Sequence, residues 1–571
     1  MKSKLLLGIV LLTFFGCSNN DDEHFDTFKN NFVTNLWVQF PEWASSQGYH
    51  KFDDKLSIPN DENRKKQLDF TKKYNDSLMD FDIEKLSDNN KTDFYLIKNQ
   101  LESFIFSTNE LKSYQWNPAE YNVCGSFAEI LNGSYAPLEQ RLRNFSKKLL
   151  SIRSYYNIAK NNLHNPTIEH TQLAIDQNLG GVSVFTSDIL VSVDKSKLAQ
   201  NEKDSILKYS KVAAESVKDY ASFLKKLDNP TPTDFRLGKD LYTRKFDLDI
   251  QSGYSVDAIF KKAQAHKIDL HSKMFALAEK LWSKYLPNET KPTDKLLEIK
   301  LVIDKISEQH TTPENFQKEI EKQIPELVAF VKQKNLLFID PKKPLVVRKE
   351  PDYMAGVAGA SISAPGPYDK NANTYYNVGS MSGWSADKSE SYLREYNNYI
   401  LQILNIHEAI PGHYTQLVYS NQSPSLIKSI FGNGAMIEGW AVYTERMMLE
   451  NGYKNSDEMW LMYYKWNLRS TCNTILDISV HTKNMTREQA INLLVNQAFQ
   501  QKAEADGKWK RVTLTQVQLC SYFTGYSEIY DFRERLKKEQ GKNFDLKQFH
   551  EKFLSYGSAP VKYIKELYLK N

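Results

Sequence analysis

Two histidines six positions apart, His407 and His413, bracket a carboxylate, Glu408, and a helix-breaking pair, Pro411-Gly412. Side chains four apart share a helix face, because four steps of about 100° return to nearly the same azimuth. Six steps are about 600°, which leaves the two rings roughly 120° apart and about 9 Å apart along the axis. An unbroken helix therefore cannot aim both at one point. Proline removes an N–H and clashes with the preceding turn, and glycine adopts φ values closed to other residues. The pair predicts a bulge that swings His413 back toward the point His407 faces. The plainer alternative is an ordinary helix end with His413 as a cap.

The residue types specify the chemistry. Glu408 projects about 100° around the helix from His407, too far to share its bond to an ion but in reach of a water held there, which is a general-base position. Zinc held by three protein ligands keeps a fourth position for water and brings its pKa toward about 7. Glu438-Gly439-Trp440-Ala441-Val442-Tyr443-Thr444-Glu445 begins 25 residues after His413. Glu438 and Glu445, seven apart, lie on one helix face, and either can supply the third ligand. Glu438 follows the small run Gly432-Asn433-Gly434-Ala435 and opens an amphipathic stretch, which suits a ligand. Glu445 then lies deeper and accepts a hydrogen bond from a ligand imidazole. The expected cofactor is one Zn2+ per chain, on His407, His413 and Glu438.

The stretch HEAIPGHYTQ followed by EGWAVYTER resembles the bacterial DUF885 family, whose members look like zincin-type metallopeptidases with a glutamate as third ligand. The second segment is similar to that following the zinc helix in gluzincin aminopeptidases, and the resemblance implies Glu438 as the ligand. Many DUF885 members carry a further histidine where this chain has Tyr414. Family-like pieces continue from about Arg348 to the C-terminus: GVAGASISAPGPYDKNANTYYNV, Asp477 to His481, Ser521 to Gly525, and NFDLKQFHEKFLSYGSAPV. From these pieces come candidates for a donor to the oxyanion of a tetrahedral intermediate: Tyr522, His481 and Tyr526. Arg533 can hold a substrate carboxylate or join an interhelical ion pair.

At the N-terminus Lys2 and Lys4 precede the apolar run Leu5 to Phe15, too short to span a membrane as a mature helix and shaped like an export signal. Gly16-Cys17 resembles a bacterial lipobox, which implies lipidation of Cys17, with an acidic tether over 17–24 like that of surface lipoproteins. An ordinary cleaved signal is the alternative. The implied location is the cell envelope, at the outer membrane, periplasmic or surface-exposed. Without Cys17 three cysteines remain, Cys124, Cys472 and Cys520, so at most one disulfide can form. None has the spacing of a thiolate zinc site. No G-x-S-x-G occurs, which gives no support to a serine nucleophile.

The chain has 571 residues with 41% hydrophobic content, enough for a large core and two or three lobes. Lys+Arg 74 and Asp+Glu 70 are interspersed, so no basic block argues for nucleic acid. Apolar residues at three and four spacing predict helices over Glu62 to Asn75, Ala136 to His164, Asn201 to Lys226, Val256 to Tyr285 and Pro313 to Lys334. Ser391 to Ile410 is the predicted ligand-bearing helix. Between Met354 and Val378 Gly, Ala, Ser, Pro and Tyr predict loops and a small β-hairpin, whose strand, with Tyr376, can pair with an extended substrate or serve as a covering loop. The expected fold is mainly α: a large helical two-lobed cleft protein, zincin-like, with a small hairpin or sheet near the zinc helix. The expected divisions are a signal over 1–16, the tether, a helical region over 25–345 and a zinc-binding catalytic region over 346–571. The expected function is zinc-dependent hydrolysis of extracytoplasmic peptides, with the lipid anchor holding the chain to the membrane. The alternatives are a non-catalytic surface lipoprotein binding glycans or peptides, and a zinc hydrolase of a non-peptide substrate. The oligomeric state is not legible.

Overall fold

The computed structural model describes residues 20–343, 345–350, 360–369, 373–423 and 425–570. The signal segment 1–16 and Cys17 lie outside the described residues. The chain is mainly helical, as its periodicity predicts. Its first helix, α1 (Asn20–Gln39), corrects the tether: Asp21, Asp22 and Glu23 form its first turn, where carboxylates meet the positive end of the helix dipole. Asp22 Oδ1 accepts from Ser87 N and Oγ (both 3.0 Å) and Asn90 Nδ2 (2.7 Å), at the start of α2 (Asp88–Phe106). The acidic run thus belongs to the fold.

Three apolar clusters form the interior. One joins Phe25, Trp37 and Phe94 to Ile427 and Phe431; a second, from Leu56 to Leu224, centres on Phe127, Phe145 and Tyr220. The largest runs from Phe235 to Ile564 and takes in Trp440 and Leu468. Residues on both sides of 345 share it, so that expected boundary does not divide the core. No helix among the described residues is long and apolar enough to cross a membrane.

Among the described residues the sheet has three strands, β1 (Leu345–Lys349), β2 (Ala360–Ser363) and β3 (Thr374–Val378), in the order β1-β3-β2. β2 pairs antiparallel with β3 and β1 runs parallel to it, so a strand the sequence did not signal extends the expected hairpin. Strand β3 is bonded on both sides. Tyr376, at its centre, is fully buried and donates its hydroxyl to Asn405 Oδ1 at 2.9 Å. That corrects its expected role as a substrate contact: Tyr376 fastens the sheet to the helix bearing His407.

The expected helix over Ser391 to Ile410 is two helices, α3 (Ala386–Glu395) and α4 (Ile400–Glu408). Asn397 causes the break, because its Oδ1 accepts from the backbone N–H of Tyr399 (3.1 Å) and Ile400 (3.2 Å) and so satisfies the new helix start. There follow α5 (His413–Asn421), α6 (Gly434–Glu450), α7 (Asp457–Lys483), α8 (Lys502–Leu514), α9 (Cys520–Gln540) and α10 (Leu546–Ser555). Helices α6 and α9 cross at Gly439 and Gly525, where a Cβ on Gly439 would lie 2.3 Å from the Gly525 carbonyl carbon. Only two glycines allow so close a crossing. It sets Tyr522 on α9 beside Glu438 on α6.

Candidate metal centre

Helix α4 ends at Glu408, and the Ile410-Pro411 peptide is cis. Gly412 folds back on the helix, its N–H donating to Ile406 O at 3.0 Å. A Cβ there would lie 1.9 Å from His407 O, so no other residue fits this turn. The Trp440 indole Nε1 donates to Pro411 O at 2.9 Å and ties the turn to α6. Helix α5 restarts at His413. The turn is a full break between two helices, sharper than a bulge within one, and it brings the imidazoles together at 86° with centroids 4.7 Å apart.

Glu438 Oε2 lies 3.6 Å from His407 Nε2 and 3.3 Å from His413 Nε2. His407, Glu408 and His413 also present atoms all within 4.8 Å of one another, so two carboxylates flank the histidine pair. Glu438 Oε2 makes no hydrogen bond although it is buried against both rings, and His413 Nδ1 is likewise unbonded. Donor atoms turned on one another without bonding one another are disposed as the ligands of a shared cation are, and two imidazoles with a carboxylate make a donor set suited to zinc. The Glu445 carboxylate accepts from His407 Nδ1 at 2.7 Å and from Trp466 Nε1 at 3.0 Å. That bond fixes the proton on Nδ1 and leaves Nε2 facing Glu438.

Three carboxylates, Glu408 and Glu445 buried and Glu438 partly so, converge on two imidazoles. Burial works against charge on His407, but Glu438, Glu445 and Glu408 outweigh it and hold its pKa up at about 10. Burial also opposes ionisation of Glu438, yet His407 and His413 bring it well below the usual carboxylate range. Glu408 is raised, chiefly by burial and against the pull of His413 and His407. The site as a whole favours positive charge at its centre.

Of the other expected site residues, one lies here. The Tyr522 ring is within 18° of parallel to that of His407, centroids 6.4 Å apart, and its hydroxyl accepts from Arg511 Nη2 at 2.9 Å. His481 is a correction: it is buried, with Nε2 on the carbonyls of Val512 (2.9 Å) and Thr515 (3.2 Å), where it ties α7 to the end of α8. Tyr526 bonds to Arg446 at 3.0 Å. Arg533 is a correction too: it is buried and pairs with Glu450 (2.8 Å) and Glu534 (2.7 Å), which leaves it no substrate carboxylate to hold. Sequence reasoning missed Trp466, whose indole holds Glu445, and Arg511. An arginine on an amphipathic helix has no local signal that sets it apart from a surface one. The three remaining cysteines are free and buried.

A mainly α chain that brings two histidines and two glutamates to one point is a helical protein with a candidate metal centre. This chain belongs to the DUF885 family, described as bacterial protein of unknown function, whose model matches residues 41–567. A solved structure of a candidate lipoprotein of unknown function from Shewanella oneidensis is similar at 52% identity and TM-score 0.86, over 95% of this chain and 99% of that one. A candidate lipoprotein from Colwellia psychrerythraea shares the fold at 17% identity and TM-score 0.80, over 96% of this chain and 99% of that one. No curated protein matches.

Proposed function

We propose that this chain is a zinc-dependent peptidase in which His407, His413 and Glu438 hold the metal. The observation that carries the reading is Glu438 Oε2 set between both Nε2 atoms without a hydrogen bond to either. Bound zinc supplies Lewis acidity, which acidifies water and polarises a carbonyl. Glu408 takes the proton from the attacking water and returns it to the leaving amine, and its burial makes it a better base than a solvated carboxylate. Glu445 keeps the Nδ1 proton on His407 and so keeps Nε2 free to bind metal. Tyr522 donates a hydrogen bond to the developing oxyanion and keeps its proton, since Arg511 already supplies the bond its oxygen accepts.

Envelope anchoring through lipid on Cys17 is part of the proposal, supported by the N-terminal sequence and by the lipoprotein description of the relatives. The test of the enzyme is Glu408→Gln, with zinc content and digestion of a peptide library read by product mass spectrometry. The variant keeps its metal and loses hydrolysis by about 100- to 10,000-fold. Full turnover in the variant overturns the role of Glu408. A zinc-loaded wild type that cleaves esters but no peptide moves the reading to a non-peptide hydrolase.

A further inference from the structure

Arg511 lies on α8, one hydrogen bond from the candidate centre through Tyr522. Its Nη2 is engaged by two neutral oxygens, Tyr522 OH at 2.9 Å and Gln518 Oε1 at 2.8 Å. Among the described residues no carboxylate lies within 4.0 Å of it, and Nε and Nη1 carry no protein hydrogen bond. A half-buried guanidinium without a counter-ion is costly, and such groups are ordinarily paired. Glu438 favours its charge at longer range, and the Oε2 of that carboxylate faces His407 and His413 at 3.6 Å and 3.3 Å.

The surroundings do not make up the deficit. Lys465 on α7 pairs with Glu395 at 2.9 Å, and Arg469 on α7 pairs with Glu504 on α8. Lys508 has only that same Glu504, at 3.7 Å. Within 4.0 Å, Lys465, Arg469 and Lys508 reach two carboxylates, Glu395 and Glu504, and Arg511 reaches neither. Burial, with Arg469 and Arg511 close by and against the pull of Glu504 and Glu395, pushes Lys508 well below the usual lysine range. The group lies beside the reacting centre: Arg469 packs on the Trp466 ring (4.5 Å), whose indole nitrogen donates to Glu445. Along this wall Arg469, Glu504, His413 and Glu438 each keep a small exposed face, 18%, 19%, 12% and 19% of the side chain, and that is where a ligand would meet it.

We propose that Arg511, with Arg469 behind it, receives a carboxylate of the substrate through charge-assisted hydrogen bonds. The chain then acts on peptides with an acid close to the scissile bond, either a free C-terminal α-carboxylate or an Asp or Glu side chain. This deepens the peptidase reading and rests on it. Arg is the residue suited to the task, being charged at all working pH values and offering several donors in one plane.

The test compares zinc-loaded wild type, Arg511→Ala and Arg511→Lys on matched peptides: free acid against C-terminal amide, and Asp or Glu against Asn or Gln. Zinc content and Tm are measured in parallel. Wild type prefers the acid member of one pair by roughly 100-fold in kcat/KM, and the pair that discriminates identifies the carboxylate's source. Arg511→Ala loses that preference through the KM of the acid member while retaining zinc, and lowers kcat alike on both members through the lost bond to Tyr522. Should Arg511→Ala fail to fold, Arg511→Lys decides, because it keeps the charge but not the planar donors and narrows the preference. Cleavage by wild type without discrimination in either pair overturns the role of Arg511 and leaves the peptidase reading standing, as does a preference intact in both zinc-loaded variants. A zinc-loaded wild type that cleaves no peptide overturns both.

Discussion

Trp440 and Pro411 are joined by one hydrogen bond, the indole Nε1 donating to the proline carbonyl at 2.9 Å. The bond runs from the helix that carries Glu438 to the turn that sets His413. It makes the second ligand's position depend on the third ligand's helix. Trp440→Phe keeps most of the buried ring and removes the donor, leaving a buried carbonyl without that partner. The expected result is a stability loss of about 1–3 kcal/mol by chemical denaturation and weaker zinc binding in a competition titration. An unchanged zinc affinity would show that the bond does not position the site.

Gly412→Ala is expected to be severe, because the added Cβ would meet His407 O at 1.9 Å, with no flexible side chain there to yield. The turn must open, which separates His413 from His407. The expected outcome is loss of most bound zinc, read by metal analysis alongside circular dichroism to confirm that the helices persist. An alanine variant with full metal would contradict the geometry described for the turn.

Glu445→Gln removes the negative charge facing His407 Nδ1 and keeps the shape. An amide oxygen can still accept from Nδ1, so the fold survives, but the imidazole becomes a poorer ligand. Zinc affinity should fall by about 10- to 100-fold. Isothermal titration with zinc under chelator buffering measures this, and equal affinities would leave Glu445 a purely structural acid.

His550 provides a pH test away from the centre. Its Nδ1 donates to Leu336 O (2.8 Å) and its Nε2 accepts from Tyr443 OH (2.7 Å), an arrangement that needs the neutral ring. Burial, aided by Arg533 and against the Leu336 carbonyl, lowers its pKa to about 4 from 6.5. Because the folded pKa is the lower one, the stabilisation is complete above 6.5 and is lost as pH falls from there toward 4. It amounts to about 3 kcal/mol. His550→Gln should show a shallower fall in Tm over that window than wild type. Identical slopes would mean that His550 does not titrate on unfolding.

The legible parts of the site were those encoded by local chemistry. Pro411-Gly412 announced the break, and the seven-residue step from Glu438 to Glu445 placed both on one face, where Glu445 accepts from His407 Nδ1. The break at Asn397 was written in the sequence as an Asn ahead of an apolar run, but the apolar spacing across it reads as one helix. What the sequence could not show was set by long-range crossings. The Gly439–Gly525 contact pairs residues 86 apart in the chain and is what selects Tyr522 over Tyr526 and His481 as the neighbour of the histidines. Arg533 and Arg511 are both arginines within helices. Only the fold shows that the first is paired and the second is not.

The central claim is that His407, His413 and Glu438 share one divalent cation. Metal analysis by mass spectrometry of the purified protein, run beside His413→Ala, tests it most directly. The expected result is one zinc per chain in the wild type and a large loss in the variant. A wild type that binds no divalent metal from zinc-supplemented buffer, or a His413→Ala protein that retains a full equivalent, would contradict it.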